Sequence, residues 1–159
     1  MHRHLSRLHL PLVLVLVFAC VLLTTAPPAH AANPSAGNQN QLINAINTVN
    51  SAGAGTHTIS LTADITLTAA LPALANTAAA EIVFDGNGHT LTGDATHTIL
   101  KINPGATVRV RDVTLTTGGS YSTLGGAIYN RGQLTVEDAW LALVDGAQRL
   151  TACRAPALV

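Results

Sequence analysis

Thr107-Val108-Arg109-Val110-Arg111-Asp112-Val113-Thr114-Leu115 and, further on, Gln133-Leu134-Thr135-Val136-Glu137-Asp138-Ala139-Trp140-Leu141 are two copies of one pattern. They align without a gap: Val108 with Leu134, Val110 with Val136, Asp112 with Asp138, Val113 with Ala139 and Leu115 with Leu141, each pair 26 residues apart. Ile82 and Phe84 precede Val108 and Val110 by the same 26, and Ile59 precedes Ile82 by 23. Within each copy apolar and polar residues alternate, the period of a strand with one buried face. A repeat of about 20 to 30 residues is the mark of a solenoid. Each repeat holds two or three short alternating stretches separated by Gly, Asn and Asp, so the repeating unit is built from strands. Thr98-Ile99-Leu100-Lys101-Ile102 and Ala127-Ile128-Tyr129 would supply the remaining strand of each winding.

One winding cannot bury its inward row of Ile, Val and Leu, but a winding stacked on the next can. Each strand then pairs in parallel with its equivalent one winding later, at a spacing of about 4.8 Å. The reading is an all-β, right-handed parallel β-helix of about four coils. Ile59, Ile82, Val108 and Leu134 are expected one above another inside it. Arg109 and Arg111 are expected to flank opposite faces of their strand, and so not to serve one site.

Working towards the N-terminus, Leu42, Ala45, Ile46 and Val49 fall at helical spacing, which predicts a helix over residues 41–50. Gly53 and Gly55 stop it. A helix this short does not stand alone in water and must lie on something. The open edge of a first coil, which would otherwise invite aggregation, is the natural place for it. Residues 32–40 are polar and rich in breakers and read as a disordered or extended lead-in.

Ahead of that, Arg3 and Arg7 precede a nearly unbroken apolar run over residues 10–23, followed by Thr24-Thr25-Ala26-Pro27-Pro28 and Ala29-His30-Ala31. Basic, apolar and small-residue regions in this order form a secretory signal peptide, cleaved between Ala31 and Ala32. The apolar run is short for a membrane span, which needs about 20 residues. Cys20 sits in a sequence loosely like a lipidation signal, but bulky Phe18 before it and apolar Val21-Leu22-Leu23 after it make it a small hydrophobe of the leader. Membrane contact is therefore expected through the leader alone.

Removing 31 of 159 residues leaves 128, one modest domain, and a formal charge near −2 from six Lys and Arg against eight Asp and Glu. No basic patch calls for nucleic acid. Aromatic residues are scarce, so thin stacked layers of small and β-branched side chains suit the composition better than a large aromatic core. Cys153 is the one cysteine left after cleavage, so no intrachain disulfide forms.

Several of these stretches carry a resemblance. The run from Leu42 through Thr58-Ile59-Ser60-Leu61 to Asp64-Ile65-Thr66-Leu67 resembles the start of bacterial right-handed parallel β-helix repeat proteins. Asp85-Gly86-Asn87-Gly88-His89-Thr90-Leu91-Thr92-Gly93 looks like a turn-strand element common in that superfamily. Gly125-Gly126-Ala127-Ile128-Tyr129-Asn130 is similar to the repeats of polymorphic outer-membrane proteins and related surface proteins. The resemblance covers about residues 42–139 and implies a cell-surface scaffold; it specifies fold better than chemistry. The chain then departs from the pattern. Residues 140–159 lack alternation and turn logic and read as a divergent or truncated tail, as of a fragment or frameshifted product. An uncapped coil edge there would favour self-association.

Candidate chemistry is sparse. Asp85-Gly86-Asn87-Gly88-His89 clusters a carboxylate, an amide and an imidazole. Calcium wants about six oxygen ligands, and only Asp85, Asn87 and Asp94 are at hand, so the cluster reads as a tight corner with left-handed Asn-Gly. Asp112 and Asp138 stand at equivalent positions and would repel unless a cation, Arg111 or Arg131 intervenes. Paired carboxylates suit glycosidase or calcium-dependent lyase chemistry, yet Asp is equally an ordinary corner residue. His57, His89 and His97 fit no metal-ligand spacing and read as solvent-facing turn residues. The loop around Tyr121, Ser122 and Thr123 is a possible binding loop. The expectation is thus a secreted or cell-surface module with a structural or adhesive role, binding carbohydrate or another surface, without catalysis, metal or cofactor. The alternative is a fragment of an extracellular polysaccharide lyase or glycoside hydrolase on the same scaffold. A groove with two Asp and an Arg or Lys would favour the enzyme; a ladder of Thr and Ser would not.

Overall fold

The computed structural model describes residues 30–119, 126–145 and 148–150. These form one helix and twelve short strands, nearly all in parallel sheets. The first sheet runs β1 (Ser35–Ala36), β2 (Gly55–Leu61), β4 (Ala79–Asp85), β7 (Thr107–Arg111), β10 (Gln133–Glu137). The second runs β3 (Ile65–Thr66), β5 (Thr90–Thr92), β8 (Thr114–Gly118), β11 (Trp140–Asp145), β12 (Gln148–Leu150). A third holds β6 (Leu100–Ile102) and β9 (Ile128–Asn130), with Leu74 bridging to Ile102. Residues paired in parallel are 24 to 28 apart, from Leu91 with Leu115 to Leu100 with Ile128.

The register follows the apolar alternation. Ile82, Val108 and Leu134 are partners in successive strands, as are Phe84, Val110 and Val136. Ile65, Leu91, Leu115 and Leu141 make the same row in the second sheet. A slip of one residue would turn every such side chain outward, which fixes the pairing. The inward residues of β4 and β7 are fully buried, whereas Leu134 and Val136 of β10 are only half-buried. Among the described residues no strand pairs with the far side of β10.

One stacking expectation is wrong between β2 and β4. Ile59 pairs with Phe84, and His57 takes the place opposite Ile82. His57 is therefore not a solvent-facing turn residue: it lies within β2 and is fully buried. Its ring fits an inward row because both nitrogens are satisfied. Nδ1 accepts the N–H of Ala32 at 3.0 Å and Nε2 donates to the carbonyl of Gly53 at 2.8 Å. That pairing requires the neutral ring with its proton on Nε2.

The helix α1 spans Gln39–Asn50, with Asn38 as its N-cap accepting the N–H of Gln41 at 3.0 Å. Leu42, Ala45, Ile46 and Val49 are its buried residues, the face its spacing predicts, and they join the same core as β1 and β2. Two asparagines tie down its C-terminal end. Asn50 donates to the carbonyl of Ala73 and accepts the N–H of Ala75, and Asn76 donates to the carbonyls of Val49 and Ala52. The stretch read as a disordered or extended lead-in is extended and paired: Ser35 and Ala36 lie opposite Ser60 and Leu61, with Ala36 buried. At the other end, strand pairing continues past Ala139. Trp140, Leu141 and Ala142 pair in parallel with Thr114, Leu115 and Thr116, before β12 folds back antiparallel on β11.

Candidate functional site

The corner between the first and second sheets is where charge collects. Between β4 and β5 the chain turns through Asp85-Gly86-Asn87-Gly88-His89; it turns at Asp112 between β7 and β8 and at Asp138 between β10 and β11. Asn87 and Gly88 have φ of 48° and 78°, and Asp112 and Asp138 have 48° and 45°. Asn and Asp are the non-glycine residues that tolerate this left-handed geometry best, so the corner reading of these residues is correct. Asp85 Oδ1 accepts the N–H of Asn87 at 3.0 Å, and the Asn87 amide donates to the carbonyl of Leu61 at 2.8 Å. Gly86 admits no side chain: a Cβ there would lie 2.3 Å from the carbonyl oxygen of Asp112.

A cleft of about 520 Å³ opens at this corner, lined by Asp85, Asn87, Arg111, Asp112, Glu137 and Asp138. Arg109 and Arg111 do not lie on opposite faces. Residues two apart share a face of a strand, and both guanidiniums reach carboxylates of neighbouring strands. Arg111 donates to Asp85 Oδ2 through Nε at 3.0 Å and Nη2 at 2.6 Å. Arg109 donates to Glu81 at 3.0 and 3.1 Å and to Glu137 at 2.7 Å. The hydrogen bonds it donates to Glu81 and Glu137 raise the pKa of Arg109 above its ordinary value. Both arginines are thus engaged, while Asp112 and Asp138 face solvent. Arg111 goes to Asp85 rather than between the two corner carboxylates. Among the described residues no three His, Cys, Asp or Glu side chains are grouped so as to hold a metal ion.

The outward face of the second sheet has a different character. Thr66, Thr92 and Thr116 stand in one row, and Thr90, Thr114 and Trp140 in the next. Trp140 is 52% exposed, alone in this among the large hydrophobic residues described. The result is a row of hydroxyls beside an exposed aromatic ring. The loop of Tyr121, Ser122 and Thr123 lies outside the described residues, as do Cys20, Cys153 and most of the leader. Ala31 and Ala32 are described; Ala32 sits just ahead of β1, its carbonyl accepting the N–H of Thr58 at 3.0 Å.

Two smaller clusters are local. His89 lies 3.3 Å from Asp64, which also accepts the N–H of Thr90 at 2.9 Å. Asp94 accepts the N–H groups of Thr96 and His97 and meets the His97 ring at 2.7 Å. Burial opposes ionisation of Asp94, but these hydrogen bonds outweigh it and hold the carboxyl well below the usual range.

The sequence missed the ion pairs although a signal was present: Asp85, Arg111 and Glu137 are each 26 apart and fall in one row. Trp140, read as the start of the tail, lies in β11 opposite Thr114.

The described strands thus form mostly parallel sheets, with ion pairs on the first and threonine rows on the second. Residues 35–141 match the family model described as "Putative pectate lyase-like adhesive domain", and the chain belongs to that family. No curated protein and no solved structure matches the chain. No helix among the described residues is long and apolar enough to cross a membrane.

Proposed function

We propose that this chain is an extracytoplasmic adhesive module that holds glycans on the outward face of its second sheet and does no chemistry on them. The three sheets are read as the faces of a right-handed parallel β-helix, with α1 over its first coil and residues 41–139 as its body. Residues 1–31 are read as the leader that carries the chain out of the cytoplasm. The observation that carries the reading is the row Thr90, Thr114, Trp140 beside Thr66, Thr92, Thr116. Hydroxyls in register offer sugars donors and acceptors at strand spacing. An indole ring offers the flat apolar surface on which the C–H face of a pyranose stacks. The family's adhesive description supports the same reading.

The test is retention of the secreted chain on immobilised polysaccharides. Trp140→Ala is expected to weaken retention roughly tenfold, while Asp112→Asn with Asp138→Asn leaves it unchanged. Equal retention by Trp140→Ala would place binding elsewhere.

A second reading has its own observation. The corner cleft holds Asp85, Asp112, Asp138 and Arg111, the composition that favours a polysaccharide lyase or hydrolase. Against it, Arg111 is committed to Asp85 and Arg109 to two glutamates. Under this reading the double asparagine variant abolishes polymer cleavage and Trp140→Ala leaves it largely intact.

The side of β10 on which no described strand pairs, with Leu134 and Val136 half-buried, supports self-association as the accompanying property. Lys or Glu at Leu134 is expected to remove it.

A further inference from the structure

We propose that His57 is the seat of the mature amino terminus: once the leader is cleaved, the freed α-amino group of Ala32 is held by its Nδ1. The inference rests on the leader reading above and adds to it a residue with a defined task. Hydrolysis of the Ala31–Ala32 bond adds water across it, leaving a carboxylate on Ala31 and an ammonium on Ala32. The nitrogen that becomes this ammonium already lies 3.0 Å from His57 Nδ1. His57 is fully buried, and its other nitrogen is fixed on the carbonyl of Gly53 at 2.8 Å, so Nδ1 is locked as an acceptor aimed at Ala32. Cleavage replaces an amide donor by a charged one, and a charge-assisted hydrogen bond is roughly twice as strong as a neutral one.

The residues after Ala32 continue the attachment. The carbonyls of Ala32, Pro34 and Ala36 accept the N–H groups of Thr58, Ser60 and Thr62 at 3.0, 3.1 and 2.9 Å. The proposed cleavage point thus coincides with the first of the described residues that is hydrogen-bonded to the fold. A buried histidine in an otherwise apolar row, where Ile82 and Val108 occupy the next places, has its explanation in this role. It also sets an order of events: the peptidase acts before residues 32–36 pair with β2, because paired residues cannot lie extended in another protein's groove.

The test is expression of the full chain, leader included, in a secreting bacterium, followed by intact mass and amine acylation at neutral pH. The secreted product is expected to begin at Ala32. Its α-amino group is expected to react about tenfold more slowly in the native state than in urea, with Lys101, the remaining amine of the cleaved chain, as the control. His57→Leu is expected to remove the protection with the fold retained, and His57→Gln, which keeps an acceptor and a donor, to preserve it. If His57→Leu does not fold, the wild-type ratio and the glutamine variant decide. A product beginning elsewhere defeats the leader reading and the seat with it. A product beginning at Ala32 whose amine reacts equally fast folded and unfolded, or stays protected in folded His57→Leu, overturns the seat and leaves the leader standing.

Discussion

Arg111 of β7 and Asp85 of β4 are direct partners in the parallel register, and two guanidinium nitrogens of the one meet a single carboxylate oxygen of the other at 3.0 and 2.6 Å. Asp85 is nearly buried and Arg111 half-exposed. Arg111→Ala is expected to cost about 1 kcal/mol, after allowance for solvent screening of the arginine. A double-mutant cycle by urea denaturation measures the coupling.

The glycines of the chain separate by geometry. Gly86→Ala forces a Cβ to within 2.4 Å of Val113 Cβ and into the Asp112 carbonyl, and is expected to destabilise by about 3 kcal/mol. Gly88→Ala has open space but a φ of 78°, which costs about 1 kcal/mol. Gly53→Ala has neither obstacle and is expected to be neutral. Thermal melts of the three variants should fall in that order.

Acid should loosen the turns at Asp94 and Asp64. Burial opposes ionisation of Asp94, but bonds from the His97 ring and from Thr96 and His97 N–H groups depress its folded pKa. For Asp64 the Thr90 N–H does most of the lowering, helped by His89. A carboxyl depressed in the folded state lends stability above its unfolded pKa, here near 3.8, and loses it as pH falls towards the folded value. The urea midpoint is therefore expected to drop as pH is lowered from about 5 to 2. Asp94→Asn should be less stable at neutral pH and show a shallower decline.

Equivalent core positions should differ by layer. Val110→Ala, between Phe84 and Val136, is expected to cost about 2 kcal/mol, and Val136→Ala about half that, because β10 has a described neighbour on one side only. If copies associate across β10, the Val136→Ala penalty grows with protein concentration, and sedimentation of Leu134→Lys shows a monomer.

The repeat was legible because Val108–Leu115 and Gln133–Leu141 carry the same alternation at a fixed offset, and their pairing follows it. The β2–β4 pairing was misaligned by two residues because counting apolar side chains passed over His57, a polar ring made fit for the core by two backbone partners. The asparagine ties of α1 were invisible for a related reason: Asn50 and Asn76 act across 23 to 27 residues, and nothing local marks them. The corner aspartates were legible as turns, since left-handed φ favours that residue type. The threonine rows of the second sheet, the proposed binding face, were not, because an outward Thr acquires meaning only once its neighbours in the sheet are known.

The most direct test is to incubate the secreted chain with soluble polysaccharides and to follow both retention on the polymer and the polymer's length. An adhesive module retains the polymer through Trp140 and leaves its length unchanged. Shortening of the chains, lost in the Asp112→Asn, Asp138→Asn variant, would contradict this account and establish the corner cleft as a catalytic site.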